Sequence, residues 1–329
     1  MAAATSDRFA LQWRAFAFDL PRPLQTAHGR LAERRGWLLR LSTASGLVGW
    51  GEAAPLTLGE QQAGELQRTA AAVAALEPSL SRKQLEAQIA APQCPGALAF
   101  ALGAALAEVD ALVGAAAGGW QAAPAPAQLL PAGPAALEAL MRAEPAEQTF
   151  KWKVAVLNDA QERAVLEQLL GRLGPTARLR LDANGHWDRS TAAAWADRLA
   201  AEPRLQWLEQ PLAPGDLAGH QALAQRLPVA LDESLQAQPQ LRQSWRSWQV
   251  RRPSQEGDPR PLLAALAAGQ PHLMLSTAFE TGIGRRWLHH LAALQANGPT
   301  PAAPGLAPGW GPDGPLFSGD PQQVWEAAA

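Results

Sequence analysis

Three acidic residues, each at the end of a short apolar stretch, are the part of this sequence whose spacing most directly suggests chemistry. They are Asp182, Glu209 and Asp232. The separations of 27 and 23 residues each fit one strand followed by one helix, so the three side chains should meet at one rim of a parallel sheet. Converging carboxylates repel one another unless a cation lies among them, and hard oxygen ligands suit Mg²⁺. A single such acid is more often a helix N-cap, but three in succession favour a metal site.

The lysines are the second unusual feature, because the chain carries its positive charge almost entirely on arginine. Lysine occurs only at positions 83, 151 and 153, whereas Lys and Arg together number 28. Unlike arginine, lysine can lose its proton near neutral pH when its surroundings disfavour the charge. Residues two apart on a strand face the same side, so Lys151 and Lys153 are expected to share one space. The alternative is a solvated strand face with two surface charges.

The two lysines and the three acids together suggest one type of reaction. Mutual repulsion and a nearby divalent cation are expected to lower the lysine pKa toward the range of a useful base. A carboxylate substrate held by the metal can then lose its α-proton to lysine, because the metal stabilises the resulting enediolate. The residues therefore predict metal-assisted proton abstraction next to a carboxylate.

Short apolar strands that alternate with helices must position these side chains. The alternation begins after a linker at 118–126 and is typical of strand–helix units around a parallel sheet. We predict an α/β fold with a closed, TIM-like barrel over residues 121–300, because closure leaves no sheet edge. The predicted strands cover 128–132, 149–156, 177–182, 205–209, 229–232, 248–252 and 272–276, with a weak last one near Thr300.

Residues 1–120 predict a separate α+β domain. The strand-like pattern from Phe9 to Trp50 predicts an antiparallel sheet, and the two prolines and the glycine within 21–30 predict a loop able to cover a site elsewhere. From Gln61 to Gly114 the sequence predicts helices, broken at Pro78 and at 92–95. The Pro- and Gly-rich residues 301–329 are expected to fold back on this domain.

Composition narrows the class of partner and the compartment. A net charge of −2, with no Lys or Arg run interleaved with aromatic residues, argues against nucleic acid and anionic lipid and favours a small ligand. The single Cys94 cannot form an internal disulfide, and the N-terminus lacks the order of a signal peptide. The longest apolar run, Ala97 to Ala107, is too short to cross a bilayer. We expect a cytoplasmic protein, monomeric or homo-oligomeric, that acts on a small-molecule carboxylate.

Four motifs resemble, in order and spacing, the muconate-cycloisomerase-like branch of the enolase superfamily. They are the Lys-x-Lys pair and the segments 182–185, 209–211 and 232–234, and the segment 49–55 also resembles the capping domain of that family. The resemblance implies a (β/α)₇β barrel with an N-terminal α+β capping domain that the C-terminal segment completes. It implies Mg²⁺, with Mn²⁺ as a substitute, held by the three acids. It also implies Lys153 as the base and Lys151 as its electrostatic partner near the substrate carboxylate.

Within that branch, the short length and the segments 275–284 and 304–306 are most similar to the o-succinylbenzoate synthase family. This implies a dehydration in menaquinone or phylloquinone biosynthesis, with Lys153 acting first as base and then as acid to the leaving hydroxyl. Ser276 and Thr277 follow a strand, so they are expected either to cap the next helix or to hold the substrate carboxylate. The further candidates for substrate contact are Asn184, Gly305 and, in the loop at 21–30, His28.

One departure from the branch concerns its sixth barrel strand, where a Lys-Pro pair is usual and this chain has Arg252 before Pro253. Arginine stays protonated in proteins. A racemase with two opposed bases would lack its second base, whereas a one-base syn dehydration needs only a cation over the developing anionic ring. Strand alternation lets only one of Arg251 and Arg252 face inward, and the motif alone selects Arg252.

Two other functions stay open at this point. An N-acylamino acid racemase or dipeptide epimerase would keep the fold and the metal, and Arg252 speaks against it. A non-catalytic barrel that binds a metal or a metabolite is the alternative from another class of protein. The presence of Lys151 and Lys153 in a chain otherwise rich in arginine argues against that alternative.

Overall fold

The computed structural model describes residues 8–26, 29–56, 59–143 and 148–328. Within these ranges the N-terminal part forms a four-stranded antiparallel sheet, whose strands are β1 (Arg8–Thr26), β2 (Gly29–Thr43), β3 (Val48–Ala53) and β4 (Ser79–Ser81). Their spatial order is β3-β2-β1-β4. The antiparallel sheet predicted between Phe9 and Trp50 is therefore confirmed.

The stretch 21–30 is paired for much of its length, so the prediction of a loop there is wrong. Strands β1 and β2 continue toward each other as a long hairpin, in which Leu24 pairs with Leu31. The register is irregular between Asp19 and Leu24, where both prolines of the stretch lie, because proline cannot donate to a regular ladder. His28, the candidate substrate contact in this stretch, lies outside the described residues.

Three helices accompany the sheet within the described ranges, and their breaks lie at Pro78 and 92–95 as predicted. They are α1 (Gly59–Ala74), α2 (Arg82–Ala90) and α3 (Gly96–Val109). Helix α3 is buried along its whole apolar run from Ala97 to Ala107. The sheet and these three helices are called the cap from here on.

Strand β3 lies unusually close to helix α3, and two glycines permit this approach. A Cβ atom on Gly49 would lie 1.9 Å from the carbonyl oxygen of Ala105. A Cβ on Gly51 would lie 2.0 Å from that of Ala101. Only glycine fits at these two positions, which explains part of the motif at 49–55.

The second half of the described chain contains seven parallel strands, hydrogen-bonded in sequence order. They are β5 (Gln128–Leu130), β6 (Thr149–Lys153), β7 (Arg178–Asp182), β8 (Leu205–Glu209), β9 (Val229–Leu231), β10 (Trp248–Arg251) and β11 (Leu273–Leu275). The helices around them are α4 (Ala135–Arg142), α5 (Asp159–Arg172), α6 (Arg189–Leu199), α7 (Leu217–Ala224), α8 (Glu233–Ala237), α9 (Leu241–Ser244), α10 (Arg260–Ala267) and α11 (Gly282–Ala296). The predicted barrel architecture is confirmed.

The prediction of an eighth strand near Thr300 is wrong, but the segment that contains Pro304 and Gly305 fills the eighth position of the barrel. Gly305 forms a single parallel bridge with Ser276 beyond β11, and the N–H of Ala127, just before β5, donates to the carbonyl of Pro304 at 3.0 Å. This segment thus contacts both edges of the sheet and closes the barrel. Three prolines between positions 299 and 304 remove the N–H groups that a longer strand needs.

The end of the chain packs on the cap. Helix α12 (Pro321–Ala327) places Val324 and Trp325 in one apolar cluster with Phe16, Leu38 and Trp50. The rings of Trp50 and Trp325 are 5.7 Å apart. The domain boundaries at residues 120 and 300 stay predictions.

A buried carboxylate joins the cap to the barrel. Glu52, on β3, accepts hydrogen bonds from the N–H (3.0 Å) and hydroxyl (2.6 Å) of Thr281 and from the N–H of Gly284 (3.0 Å) at the start of α11. Burial raises the pKa of Glu52 to about 7, although the hydrogen bonds from Thr281 act in the opposite direction. None of the helices in the described ranges is both long enough and apolar enough to span a membrane.

Candidate active site

The three acids predicted from the sequence lie together at the carboxyl ends of β7, β8 and β9. Asp182 and Glu209 are register partners on neighbouring strands, and Asp232 directly follows β9. All three are buried. This is the end of the barrel at which parallel strands direct their terminal side chains into a common space.

Lys151 bridges two of these acids. Its Nζ lies 2.7 Å from Oδ2 of Asp182 and 2.6 Å from Oε1 of Glu209. Burial by itself lowers the pKa of Lys151, but the charges of Asp182, Glu209 and Asp232 outweigh burial and hold the pKa well above its usual range. The expectation of a lowered pKa is therefore wrong for Lys151, because carboxylates rather than Lys153 dominate its surroundings.

Lys153 lies at the last position of β6, opposite Asp182 on β7, and is half-buried. In the part of the chain that the structure describes, it has no ion pair. Trp152, between the two lysines, is fully buried in the cluster that β6 forms with helix α5, as predicted. The two lysines therefore differ: Lys151 is held by acids, and Lys153 remains available to another group.

Arg252 rather than Arg251 enters the site, which resolves the alternative that the sequence left open. The guanidinium of Arg252 forms an ion pair with Asp232 and donates to Ser276 Oγ and the Thr277 carbonyl, both at 3.1 Å. Arg251 instead donates to Glu256 at 2.7 Å. Burial lowers the pKa of Arg252, but Asp232 more than compensates, so the guanidinium stays charged.

The three acids do not yet form a completed ligand set. Among the described residues, no three His, Cys, Asp or Glu side chains are close enough together to hold a metal as they stand. Asp182 and Glu209 share the ammonium of Lys151, whereas Asp232 contacts Arg252 and accepts a hydrogen bond from Gln236 at 2.8 Å. All the donor atoms are nevertheless carboxylate oxygens, which is the donor chemistry that Mg²⁺ prefers.

Asn184 and Glu233 form a pair beside the acids. Asn184 has a left-handed backbone (φ 46°), and its Nδ2 donates to Glu233 Oε1 at 3.1 Å. Burial, with further contributions from Asp232 and Asp182, raises the pKa of Glu233 to about 8. Sequence reasoning assigned no role to Glu233, although it follows Asp232 in the motif. The substrate contact predicted for Asn184 is untested, and its visible partner is Glu233.

Ser276, Thr277 and Gly305 lie together just beyond the end of β11. The hydroxyl of Thr277 donates to Glu280 at 2.7 Å, and a Cβ on Gly305 would lie 3.1 Å from Ser276 Oγ. Thr281 caps helix α11, so the expectation that Ser276 or Thr277 caps it is wrong. A substrate contact for these residues stays a prediction.

Gln210 is a functional candidate that sequence reasoning missed. Its Oε1 accepts hydrogen bonds from the N–H groups of Asp232 and Ser234, both at 3.1 Å, and its backbone is left-handed (φ 39°). Its amide also donates to Ser234 Oγ at 2.7 Å. Gln210 thereby fixes the end of β9 relative to β8, and its place after Glu209 in the motif was the only available signal.

Comparison with known proteins agrees with this arrangement. The family described as "enolase C-terminal domain-like" matches residues 135–250. The o-succinylbenzoate synthase of Thermosynechococcus vestitus is 36% identical over an alignment of 303 residues, which covers 85% of this chain and 87% of that protein. The o-succinylbenzoate synthase of Yersinia enterocolitica is 31% identical over 243 residues, covering 71% of this chain and 67% of that protein.

A solved structure is similar over nearly the full length. The o-succinylbenzoate synthase from Thermosynechococcus elongatus BP-1, complexed with Mg in the active site, has a TM-score of 0.77 and 32% identity to this chain. The match covers 96% of this chain and 99% of that chain. The superfamily resemblance seen in the sequence motifs is thus confirmed. The chain belongs to the enolase superfamily.

Proposed function

We propose that the chain is an Mg²⁺-dependent o-succinylbenzoate synthase. The reaction is the syn dehydration of 2-succinyl-6-hydroxy-2,4-cyclohexadiene-1-carboxylate to 2-succinylbenzoate in menaquinone or phylloquinone biosynthesis. The observation that carries the proposal is the permanently charged Arg252, which lies opposite the Lys-x-Lys strand and is paired with Asp232. The two relatives at 36% and 31% identity, both o-succinylbenzoate synthases, support it.

The donor set of the site fits Mg²⁺. Asp182 and Glu209 already converge on one cation, the ammonium of Lys151, and Asp232 lies at the next strand end. Asp232 would complete the set of residues that holds the ion, through a carboxylate that here contacts Arg252. When bound, Mg²⁺ supplies positive charge next to a substrate carboxylate and so stabilises additional negative charge there.

Lys153 supplies the proton chemistry. In its neutral form it removes the proton from the carbon that carries the carboxylate. Its conjugate acid then gives a proton to the hydroxyl that leaves the same face of the ring, so that one water molecule departs and the ring becomes aromatic. The lysine returns to its neutral form, and no second base is needed.

Lys151 and Arg252 supply fixed charge on opposite sides of the site. Lys151 stays protonated between Asp182 and Glu209, so it attracts the substrate carboxylate. Arg252 stays protonated as well, and it stabilises negative charge that develops on the ring. An arginine here disfavours racemisation, because a second base opposite Lys153 would have to lose its proton.

The experiment is a direct assay. Purified protein, Mg²⁺ and the cyclohexadiene substrate should give the ultraviolet absorbance of the aromatic product, EDTA should abolish it, and Mg²⁺ or Mn²⁺ should restore it. In parallel, N-acylamino acids and dipeptides in ²H₂O report racemase or epimerase activity. Deuterium exchange into both isomers of such a substrate, without dehydration of the first, would replace this proposal by the racemase alternative.

A further inference from the structure

The residues directly beneath the candidate metal ligands form a second layer inside the barrel. Alternate residues of a barrel strand face the interior, so the positions two before Asp182 and Glu209 face it as well. These are Arg180 and Trp207, which are fully buried register partners on β7 and β8. Trp207 packs there against smaller interior side chains, namely Ala230, Val250, Met274 and Ala302.

Strand β8 has an irregular register at this level. Leu179 pairs with Leu205 and Arg180 with Trp207, so Gln206 is an extra residue in the pairing described between β7 and β8. A bulge of this kind redirects a side chain that would otherwise point away. The Oε1 of Gln206 here accepts a hydrogen bond from Arg180 Nε at 2.8 Å.

Arg180 is fixed against the indole of Trp207. Its guanidinium carbon lies 4.1 Å from the ring centroid, and its Nη2 donates to the carbonyl of Ala303 at 2.8 Å. A cation over the face of tryptophan is attracted by the ring quadrupole, most strongly where water is excluded. The contact therefore holds the plane of the indole within the barrel.

The indole in turn contacts a candidate metal ligand. Trp207 Nε1 donates to Glu209 Oε2 at 3.3 Å, whereas Oε1 of the same carboxylate accepts from Lys151 at 2.6 Å. Trp207 and Glu209 are both fully buried, so water cannot easily replace a lost donor. One oxygen of Glu209 is thus held by the barrel interior, and the other is turned toward Lys151.

We propose that Trp207 is a positioning residue for Glu209: its N–H fixes one carboxylate oxygen so that the other meets the metal ion, and Arg180 fixes the indole. This inference rests on the proposed function, because it presupposes that Glu209 binds Mg²⁺. Mutation of a group that hydrogen-bonds to a metal ligand commonly weakens metal binding by about 10- to 100-fold. An effect of that size is measurable.

The test is the dissociation constant for Mg²⁺, measured by isothermal titration calorimetry on the full-length protein. Trp207→Phe removes the N–H and keeps an aromatic ring, so we expect the constant to rise about tenfold while kcat at saturating Mg²⁺ changes much less. The matched control is Trp195→Phe. It removes the same type of donor from another carboxylate, Asp159, at 2.6 Å in the helix layer, and should leave Mg²⁺ affinity unchanged.

The outcomes separate this inference from the function on which it rests. Unchanged Mg²⁺ affinity in Trp207→Phe, with normal binding by the wild type, would overturn the positioning role alone. Equal weakening in Trp195→Phe would overturn it too, because the effect would then follow from the loss of any buried indole. Failure of the wild type to bind Mg²⁺ would overturn both proposals.

A second variant keeps the inference testable if Trp207→Phe folds poorly. Arg180→Lys keeps the charge but loses the flat guanidinium that lies over the indole, and it should also weaken Mg²⁺ binding. Unchanged Mg²⁺ affinity in Arg180→Lys would overturn the role given to Arg180. When Trp207→Phe does fold, the double variant should lose no more affinity than Trp207→Phe alone, because both changes act through one N–H. Additive losses would show that Arg180 does not act through Trp207.

Discussion

Arg252 and Asp232 form an ion pair at the mouth of the barrel, in which Arg252 Nε lies 3.3 Å from Asp232 Oδ1. The pair joins a candidate metal ligand to the cation proposed to stabilise the developing ring charge. The same guanidinium also contacts Ser276 and Thr277. Arg252 therefore competes with a metal ion for one carboxylate while it occupies the side of the site opposite the lysines.

Arg252→Met is expected to lower kcat/KM by about 100-fold, because it removes a cation directed at developing negative charge. The same change frees Asp232, so the Mg²⁺ dissociation constant should fall or stay unchanged. Steady-state kinetics and calorimetry check both effects. Arg251→Met is the matched control, since Arg251 pairs with Glu256 outside the site, and it should retain activity. Weaker Mg²⁺ binding in Arg252→Met would contradict the competition.

Lys153→Ala should lower kcat by about 1,000-fold with Mg²⁺ binding retained, because it removes the proposed base and leaves the acids in place. Lys83 is the third lysine of the chain and is exposed on α2, away from the acids, so Lys83→Ala serves as the control. Lys83→Ala should behave as the wild type in the dehydration assay. Activity in Lys153→Ala close to that of the wild type would rule out the assigned base.

Lys151→Met is expected to destabilise the metal-free protein by about 3 kcal/mol, because it leaves the buried carboxylates of Asp182 and Glu209 without their shared cation. Mg²⁺ should then stabilise this variant more than the wild type, since the metal replaces the lost charge. Thermal unfolding in EDTA and in excess Mg²⁺ measures the difference. An equal Mg²⁺-induced rise in Tm for both proteins would contradict the inference that Mg²⁺ replaces the charge of Lys151 beside Asp182 and Glu209.

Glu52 predicts a pH dependence of stability. Its pKa of about 7 in the folded protein exceeds the ordinary value of 4.5, so between these pH values the folded state binds more protons than the unfolded state. The contribution of Glu52 is therefore complete below pH 4.5 and is lost as pH rises toward 7. Between pH 4.5 and 7 the free energy of unfolding of the wild type should fall by up to about 3 kcal/mol relative to that of Glu52→Gln. Denaturant unfolding of both proteins at several pH values measures this difference. If the free energy of unfolding had the same pH dependence in both, the raised pKa of Glu52 would be contradicted.

Much of the barrel could be predicted because its signals are local. Each strand from β7 to β9 is a short apolar run that ends at or just before an acid, and each is separated from the next by one helix. The parallel geometry then brings Asp182 and Glu209 together without further information. Arg252 required the motif before Pro253, since alternation alone did not distinguish it from Arg251.

The errors concern properties that depend on distant partners. The prolines at 21 and 23 indicated a loop, but pairing with the strand that contains Leu31 decides the structure there. The eighth barrel position is filled by one bridge at Gly305, which carries no strand pattern. The pKa of Lys151 is set by acids at the ends of three other strands. The contact of Trp207 with Glu209 depends on side-chain direction inside the barrel, which the sequence does not encode as a pattern.

The helix that ends the chain covers a surface that the first strands create. Phe16 of β1 and Trp325 of α12 belong to one buried cluster. The strands of this sheet are synthesised before α12, and regions made early generally begin to fold during synthesis. This apolar patch therefore stays uncovered until α12 has been synthesised. Completion of the cap has to await the whole barrel, because the residues of the barrel lie between the sheet and α12 in the sequence.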